Sequence, residues 1–326
     1  MKKIIFFIFV TIVAAVTFSC NENLDPYGSL MDKYVLNCVI RGDTTFQSAT
    51  LTKSYQTANF DPYSNTTDEA IHGSTIRIWS GNDKVAILRD TTISRPQGDA
   101  YQTPYSVYYS KNFQPNPNDS ITVEAILPNG KRLKSSTLAP ANVTMSSLSD
   151  AQIPPTNKNN LTFIWTTDQK DPVFVTRLGI YYYKNENGVK TNHVAVVPES
   201  YVKYNNEWIP NYPKPSSDKG LVVDMATLFK TMQLISADDP VKSNYTILGC
   251  ILEVLSLDKN LSTYYNATAR GRDIYSVKLD ETDYSNITGG YGVFGVYMRT
   301  YKVAFFNHSY IQSFGYIPGL EEGKGL

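Results

Sequence analysis

The sequence predicts an all-β protein: two antiparallel β-sandwich domains with one short helix. Three observations carry this expectation. Between positions 34 and 140, seven short stretches carry strand-like apolar patterning, and turn formers separate them. Tyrosine is abundant, at 24 residues against 14 Phe and 3 Trp, and Tyr and Thr favour half-buried strands. Only one segment shows a helical repeat. A chain of 326 residues is too long for one small sandwich, which points to two domains.

The chain opens with Lys2-Lys3, an apolar run from Ile4 to Phe18, then Ser19-Cys20 and a polar stretch. These are the parts of a secretory signal, and the run is short of the ~20 residues that span a bilayer. Residues 1–19 are therefore expected to be a signal peptide. Cys20 stands where a bacterial lipoprotein signal is cut and the new N-terminal cysteine is acylated; Thr17-Phe18-Ser19 precede it as the lipobox. Several acyl chains anchor stably, because each buried CH₂ contributes roughly 0.8 kcal/mol. Residues 20–33 have no periodicity and read as a flexible tether.

The first sandwich is assigned to 34–140. Its strands are YVLNCVI (34–40), SATLTKSYQ (48–56), STIRIWS (74–80), KVAILRD (84–90), YSVYYS (105–110), DSITVEAIL (119–127) and KRLKSSTLA (131–139). Pro128-Asn129-Gly130 marks a hairpin turn, since Asn-Gly readily adopts positive φ. Seven short strands with this turn spacing fit an Ig-like or transthyretin-like sandwich.

The second domain is assigned to 141–318. Phe163-x-Trp165, a gap, and a strand ending in tyrosines resemble the early strands of a fibronectin type III-like sandwich, with Trp165 as the anchor between sheets. The stretch 245–269 reads as its late strands. Between them, Asp224 caps a helix whose Met225, Leu228, Phe229 and Met232 share one face. Residues 292–306 read as a strand pair, and 319–326 as a disordered tail.

The segment 287–297, ITGGYGVFGVY, contains Gly290-x-Gly292-x-x-Gly295. That spacing cradles pyrophosphate only between a strand and a following helix, with an acidic residue about 20 positions on. Here turn formers precede it and a β-branched, aromatic run follows. Gly289 and Gly290 therefore read as a positive-φ turn, and Gly292 and Gly295 as a bend or a close backbone approach.

Other chemistry is sparse. The net charge is zero, with no Lys/Arg run, which argues against a nucleic-acid partner. His72, His193 and His308 lie in separate segments, and Cys38 and Cys250 have no metal-ligand spacing. The two cysteines read equally as a disulfide or as buried thiols. Asp280-Glu281 and Asp283 offer close oxygen ligands without an EF-hand pattern. Tyr108-Tyr109, Tyr181 to Tyr183 and Tyr264-Tyr265 could present rings to sugars or peptides, though alternate strand residues point into a core. No catalytic residue, metal or cofactor is expected.

Four stretches, YVLNCVIRGD, EAIHGSTIRIW, DSITVEAILPNGKRLKSSTLAP and DYSNITGGYGVFGVY, together with VVDMATLF, resemble the DUF4249-type lipoproteins of Bacteroidetes. The resemblance implies an outer-membrane-anchored, two-domain β protein, with a TonB-dependent receptor as a possible partner. It brings no catalytic residues. The functional expectation is a non-enzymatic protein, lipid-anchored through Cys20, that binds a nutrient, peptide or glycan. A structural or adhesion module is the alternative, and a hydrolase with dispersed carboxylates a third.

Overall fold

The computed structural model of the chain describes residues 32–54, 66–82, 84–97, 103–205, 207–269 and 284–319. The fold is all-β. Seven strands build its first part: β1 (Tyr34–Arg41), β2 (Gln47–Lys53), β3 (Thr75–Ser80), β4 (Lys84–Ile93), β5 (Tyr105–Ser110), β6 (Ser120–Ile126) and β7 (Arg132–Leu138). Most of them bury alternate residues, as a strand with one face on a core does; β5 instead buries Ser106, Val107 and Tyr108 in succession. In β1 the buried residues are Tyr34, Leu36, Cys38 and Ile40. Strand β4 serves two neighbours in succession. Its first half pairs β3 through Leu88, and its second half pairs β5 from Arg89 onward. The sheet thereby folds over onto itself around one core.

Then follow β8 (Thr144–Met145), β9 (Gln152–Ile153), β10 (Asn160–Thr166), β11 (Val173–Glu186), β12 (Val189–Val197), β13 (Ser200–Tyr204), β14 (Glu207–Asn211) and β15 (Gly220–Asp224). Helix α1 (Met225–Ser236) leads to β16 (Tyr245–Leu257), α2 (Lys259–Ala269), β17 (Phe294–Phe306), α3 (His308–Gln312) and β18 (Ile317–Pro318). Thirteen strands form one sheet along the path β12-β11-β16-β17-β1-β2-β5-β4-β3-β6-β7, with β18 beside β16 and β9 beside β17. A three-stranded sheet, β15-β10-β8, supplies the opposite wall of a second core.

Strand β17 joins the two parts. Phe294 to Tyr297 pair in parallel with Cys38 to Arg41, and Tyr297 to Ala304 pair antiparallel with β16. Its inward residues therefore enter different cores: Phe294 and Val296 the first, Ala304 and Phe306 the second. Residues 292–306 are thus not a strand pair. No turn former follows Gly295, so the β-branched and aromatic run continues as one strand of 13 residues. The parallel β1–β17 pair also departs from an all-antiparallel expectation. Parallel neighbours need no hairpin, only a long connection, and here most of the chain supplies it.

Three α-helices occur among the described residues, against the one expected. The stretch 245–269 is strand β16 followed by helix α2, not paired strands. Its Tyr and Thr content hid the helix, while Leu261, Tyr264 and Tyr265 carry the helical i, i+3, i+4 spacing. The expected helix is α1. Asp224 caps it by accepting the Ala226 N–H at 2.7 Å, and Leu228 and Met232 are fully buried. Phe229 is 44% exposed and meets the Phe314 ring at a tilt instead of entering the core.

Trp165 is 1% exposed in the second core, edge-on to Phe174 with ring centroids 5.6 Å apart. Cys38 lies in the first core and Cys250 in the second, both as free thiols. Burial pushes the Cys38 thiol up to about 12 and raises that of Cys250 as well.

Candidate functional site

The two faces of the central sheet differ. Even-numbered residues of β1 and β17 point into the cores. Odd-numbered ones, among them Val39 and Tyr297, point to the other side, together with Leu255 of β16. Helix α2 lies over that second face. Asp258 starts it: one carboxylate oxygen accepts the Leu261 N–H at 2.8 Å, and the Asp258 N–H donates to Val296 O at 3.0 Å. Close approach of α2 to β17 requires Gly295. A Cβ there would overlap Leu261 and lie 3.0 Å from the Asp258 carboxylate.

Beneath and beside α2 is a cleft of about 420 Å³. Val39, Leu255, Leu257 and Val293 form its floor, and Leu261, Tyr264 and Tyr265 its helical wall. Tyr264 and Tyr265 stand edge to face at 5.9 Å, and Tyr264 also meets Tyr284 at 6.3 Å. Asn37 and the Tyr297 hydroxyl add polar atoms. Asn37 Oδ1 accepts the Val293 N–H at 3.0 Å. An apolar pocket with a few convergent polar groups is the usual form of a ligand site.

A charged network adjoins the cleft. Arg41 is the register partner of Tyr297 and grips Asp43 through two bonds, at 3.1 and 3.0 Å. Arg299 donates to the same carboxylate at 3.2 Å and also to Glu253. The Tyr181 hydroxyl reaches Glu253 at 3.4 Å. Burial pushes the Asp43 carboxyl up, but the Arg41 hydrogen bond and the charges of Arg41 and Arg299 outweigh it and hold it below its ordinary value. Burial raises the Tyr297 hydroxyl, which also senses Arg41, Asp43, Arg299 and Tyr265. Tyr297 thus links the apolar, aromatic cleft to a neighbouring network of paired guanidinium and carboxylate groups.

The glycine segment is structural. Thr288 exchanges two backbone hydrogen bonds with Lys134 of β7, and Tyr291 pairs with Tyr34 and Leu36 of β1. The segment thereby bridges the two edges of the first part. Gly289 has φ +85° beside the Arg132 carbonyl, and Gly292 has φ +115° against the Leu36 backbone. Gly290 does not share their positive φ; its role is close approach, since a Cβ would lie 2.6 Å from Tyr34 O. The Tyr291, Val293 and Phe294 amides are all bonded within the protein. A phosphate cradle needs those donors free.

The histidines lie apart. His72 meets Asp90 at 3.2 Å, His193 meets Thr191 at 2.8 Å, and His308 opens α3. Among the described residues, no three His, Cys, Asp or Glu side chains gather at one point. Cys20, the carboxylates at 280–283 and residues 320–326 of the tail lie outside the described residues. Sequence reasoning picked out Tyr264 and Tyr265 as ring-presenting residues but placed them on a strand. It missed Asp258, Leu261, Tyr297 and Asn37, which come together only through the β1–β17 pairing and the helix.

No curated protein matches the chain. A family described as "Domain of unknown function (DUF4249)" matches residues 24–302. That span covers most of the sequence, and the chain belongs to the DUF4249 family.

Proposed function

We propose that the protein is a non-enzymatic, ligand-binding lipoprotein of the outer membrane, anchored through acylated Cys20 and accessory to a TonB-dependent transporter. The observation that carries this reading is the cleft under α2. Tyrosine rings supply flat apolar area at low entropic cost, and the Arg41–Asp43–Arg299–Glu253 network beside Tyr297 offers hydrogen-bonding groups next to it. Ligands with both an apolar face and hydrogen-bonding groups, such as sugars and peptides, suit that combination. No helix among the described residues is long and apolar enough to cross a membrane, and in this reading attachment rests on Cys20.

The test is a thermal-shift and calorimetric screen of oligosaccharides and peptides against the wild type and Tyr265→Ala. Tyr265 is 41% exposed, so its removal leaves the cores intact. A ligand that binds the wild type should lose at least tenfold in affinity on the variant. Equal affinity for every ligand found would overturn the cleft reading. Cys20→Ala should move the protein from the membrane fraction to the soluble one, and retention would refute the anchor.

A structural or adhesion role has one specific support. The hairpin β13–β14 leaves Val202, Tyr204, Trp208 and Ile209 each more than 40% exposed. Loss of cell or matrix attachment on Val202→Ser/Ile209→Ser, with ligand binding unchanged, would favour that role.

A further inference from the structure

Asp258 is a carboxylate in an unusual position. It is 2% exposed at the junction of β16 and α2. One oxygen caps α2 through the Leu261 N–H, and the other, Oδ2, makes no hydrogen bond. The elements packed against it bring hydrogen-bonding groups that favour the ionised form but, among the described residues, no opposite charge, and burial outweighs them. Strand β17 brings the backbone of Val296 and the bare Cα of Gly295. Strand β7 brings the Thr137 hydroxyl, which favours the charged form without reaching hydrogen-bond geometry at Oδ2. The Tyr284 phenol is the titratable group that senses its charge. No Lys, Arg or His among the described residues contributes a compensating charge. A carboxylate buried in this way costs more when ionised than when protonated.

We propose that Asp258 is a proton-operated latch on α2: neutral, it seats the helix on β17 and β7 and narrows the cleft; ionised, it favours release of the helix's first turn and opens the cleft. This rests on the reading of the cleft as a ligand site and adds its regulation. Leu261, Tyr264 and Tyr265 form the helical wall, so the seating of α2 sets the width of the site.

The sign follows from where the proton binds better. In the seated helix, burial pushes the Asp258 carboxyl from 3.8 up to about 6. In the released helix it is hydrated and returns to its ordinary value. Seating is therefore strongest in acid, weakens as pH rises through about 6, and is constant above that. A two-unit difference corresponds to a change of about 100-fold in the seating equilibrium over the full range, and about 30-fold between pH 4.5 and 7.5.

Amide hydrogen exchange on the full-length protein, corrected for intrinsic rates, tests this directly. Protection of the Leu261 to Tyr265 amides should fall about 30-fold from pH 4.5 to 7.5. Asp258→Asn keeps a capping oxygen and removes the charge, so its protection should not change with pH. Thr137→Val removes the hydroxyl that favours ionisation and should move the wild-type transition to higher pH. A flat wild-type profile, or a slope that survives in Asp258→Asn, would overturn the latch. Because the readout contains no ligand, failure of the latch leaves the Tyr265→Ala binding test untouched, and the reverse also holds.

Discussion

The side chain of Asn286 holds both backbone groups of Phe294. Its Oδ1 accepts the Phe294 N–H at 2.8 Å, and its Nδ2 donates to the Phe294 carbonyl at 2.6 Å. The amide acts as a one-residue strand partner where β17 begins, just before its inward side chains enter the first core. Asn286→Ala removes two part-buried hydrogen bonds and leaves a backbone donor and acceptor without partners. The expected loss is about 1–3 kcal/mol by urea unfolding. Asn286→Asp keeps only the acceptor half and should fall between the two. Equal midpoints for Ala and wild type would show that β1 alone fixes this end of β17.

Gly292 is the most constrained position in the closing segment. Its φ of +115° disfavours any L side chain, and a Cβ would overlap the backbone of Leu36. Gly73, at φ +70° with nothing within 4 Å of a Cβ, is the matched control. Gly292→Ala should cost clearly more than Gly73→Ala, by at least about 1–3 kcal/mol. Similar costs would mean that the β1 contact yields easily and does not close the first part.

Trp165 separates packing from hydrogen bonding. Its indole Nε1 is buried with no partner, so the side chain contributes through volume and its edge contact with Phe174. Trp165→Ala should destabilise by about 3–5 kcal/mol. Trp165→Phe should cost well under half of that, since no hydrogen bond is lost. A near-neutral Trp165→Ala would remove Trp165 as an anchor of the second core.

The legible parts of the fold are those governed by local pattern. Most of the seven strands from β1 to β7 follow from period-two patterning, and all from the turn residues between them; α1 follows from Asp224 and its apolar face. What the pattern does not carry is pairing between distant segments. Nothing local in FGVYMRTYKVAFF says that its first half runs beside β1 and its second beside β16. The cleft depends on that pairing, because Val39 and Leu255 reach it from strands more than 200 positions apart. The glycines were visible as structural, but their four different collisions were not. Gly295 in particular answers to Leu261 and Asp258 on a helix that β-forming tyrosines concealed.

The cysteines give a test of the two cores. Cys38 and Cys250 are buried in separate clusters, and burial raises both thiols, so neither is a thiolate at neutral pH. In the protein lacking the signal segment and Cys20, native thiol titration should detect neither, and titration in denaturant should detect both. Reductant should leave the melting temperature unchanged. A reductant-sensitive melt would demand a disulfide that the separation of the two cores forbids.

The arginine network predicts an acid-sensitive contribution from Asp43. Its folded-state carboxyl is held below its ordinary value of 3.8, because Arg41 and Arg299 outweigh the opposing effect of burial. A depressed carboxyl stabilises the fold above its unfolded pKa, and that stability is lost as pH falls through the folded one. Asp258 has the opposite sign between about pH 4 and 6, so the raw stability curve mixes the two. The difference between wild type and Asp43→Asn isolates the first. It should be constant above about pH 5 and shrink below about pH 4, as the wild-type carboxylate protonates. Its plateau should be only about 1 kcal/mol, since the Arg41 and Arg299 side chains are 49% and 32% exposed and solvent screens the pairs. Arg299→Met should cost more than Asp43→Asn, because it leaves two carboxylates, on Asp43 and Glu253, short of a donor. A wild-type minus Asp43→Asn difference that grows in acid would reverse the sign assigned to Asp43.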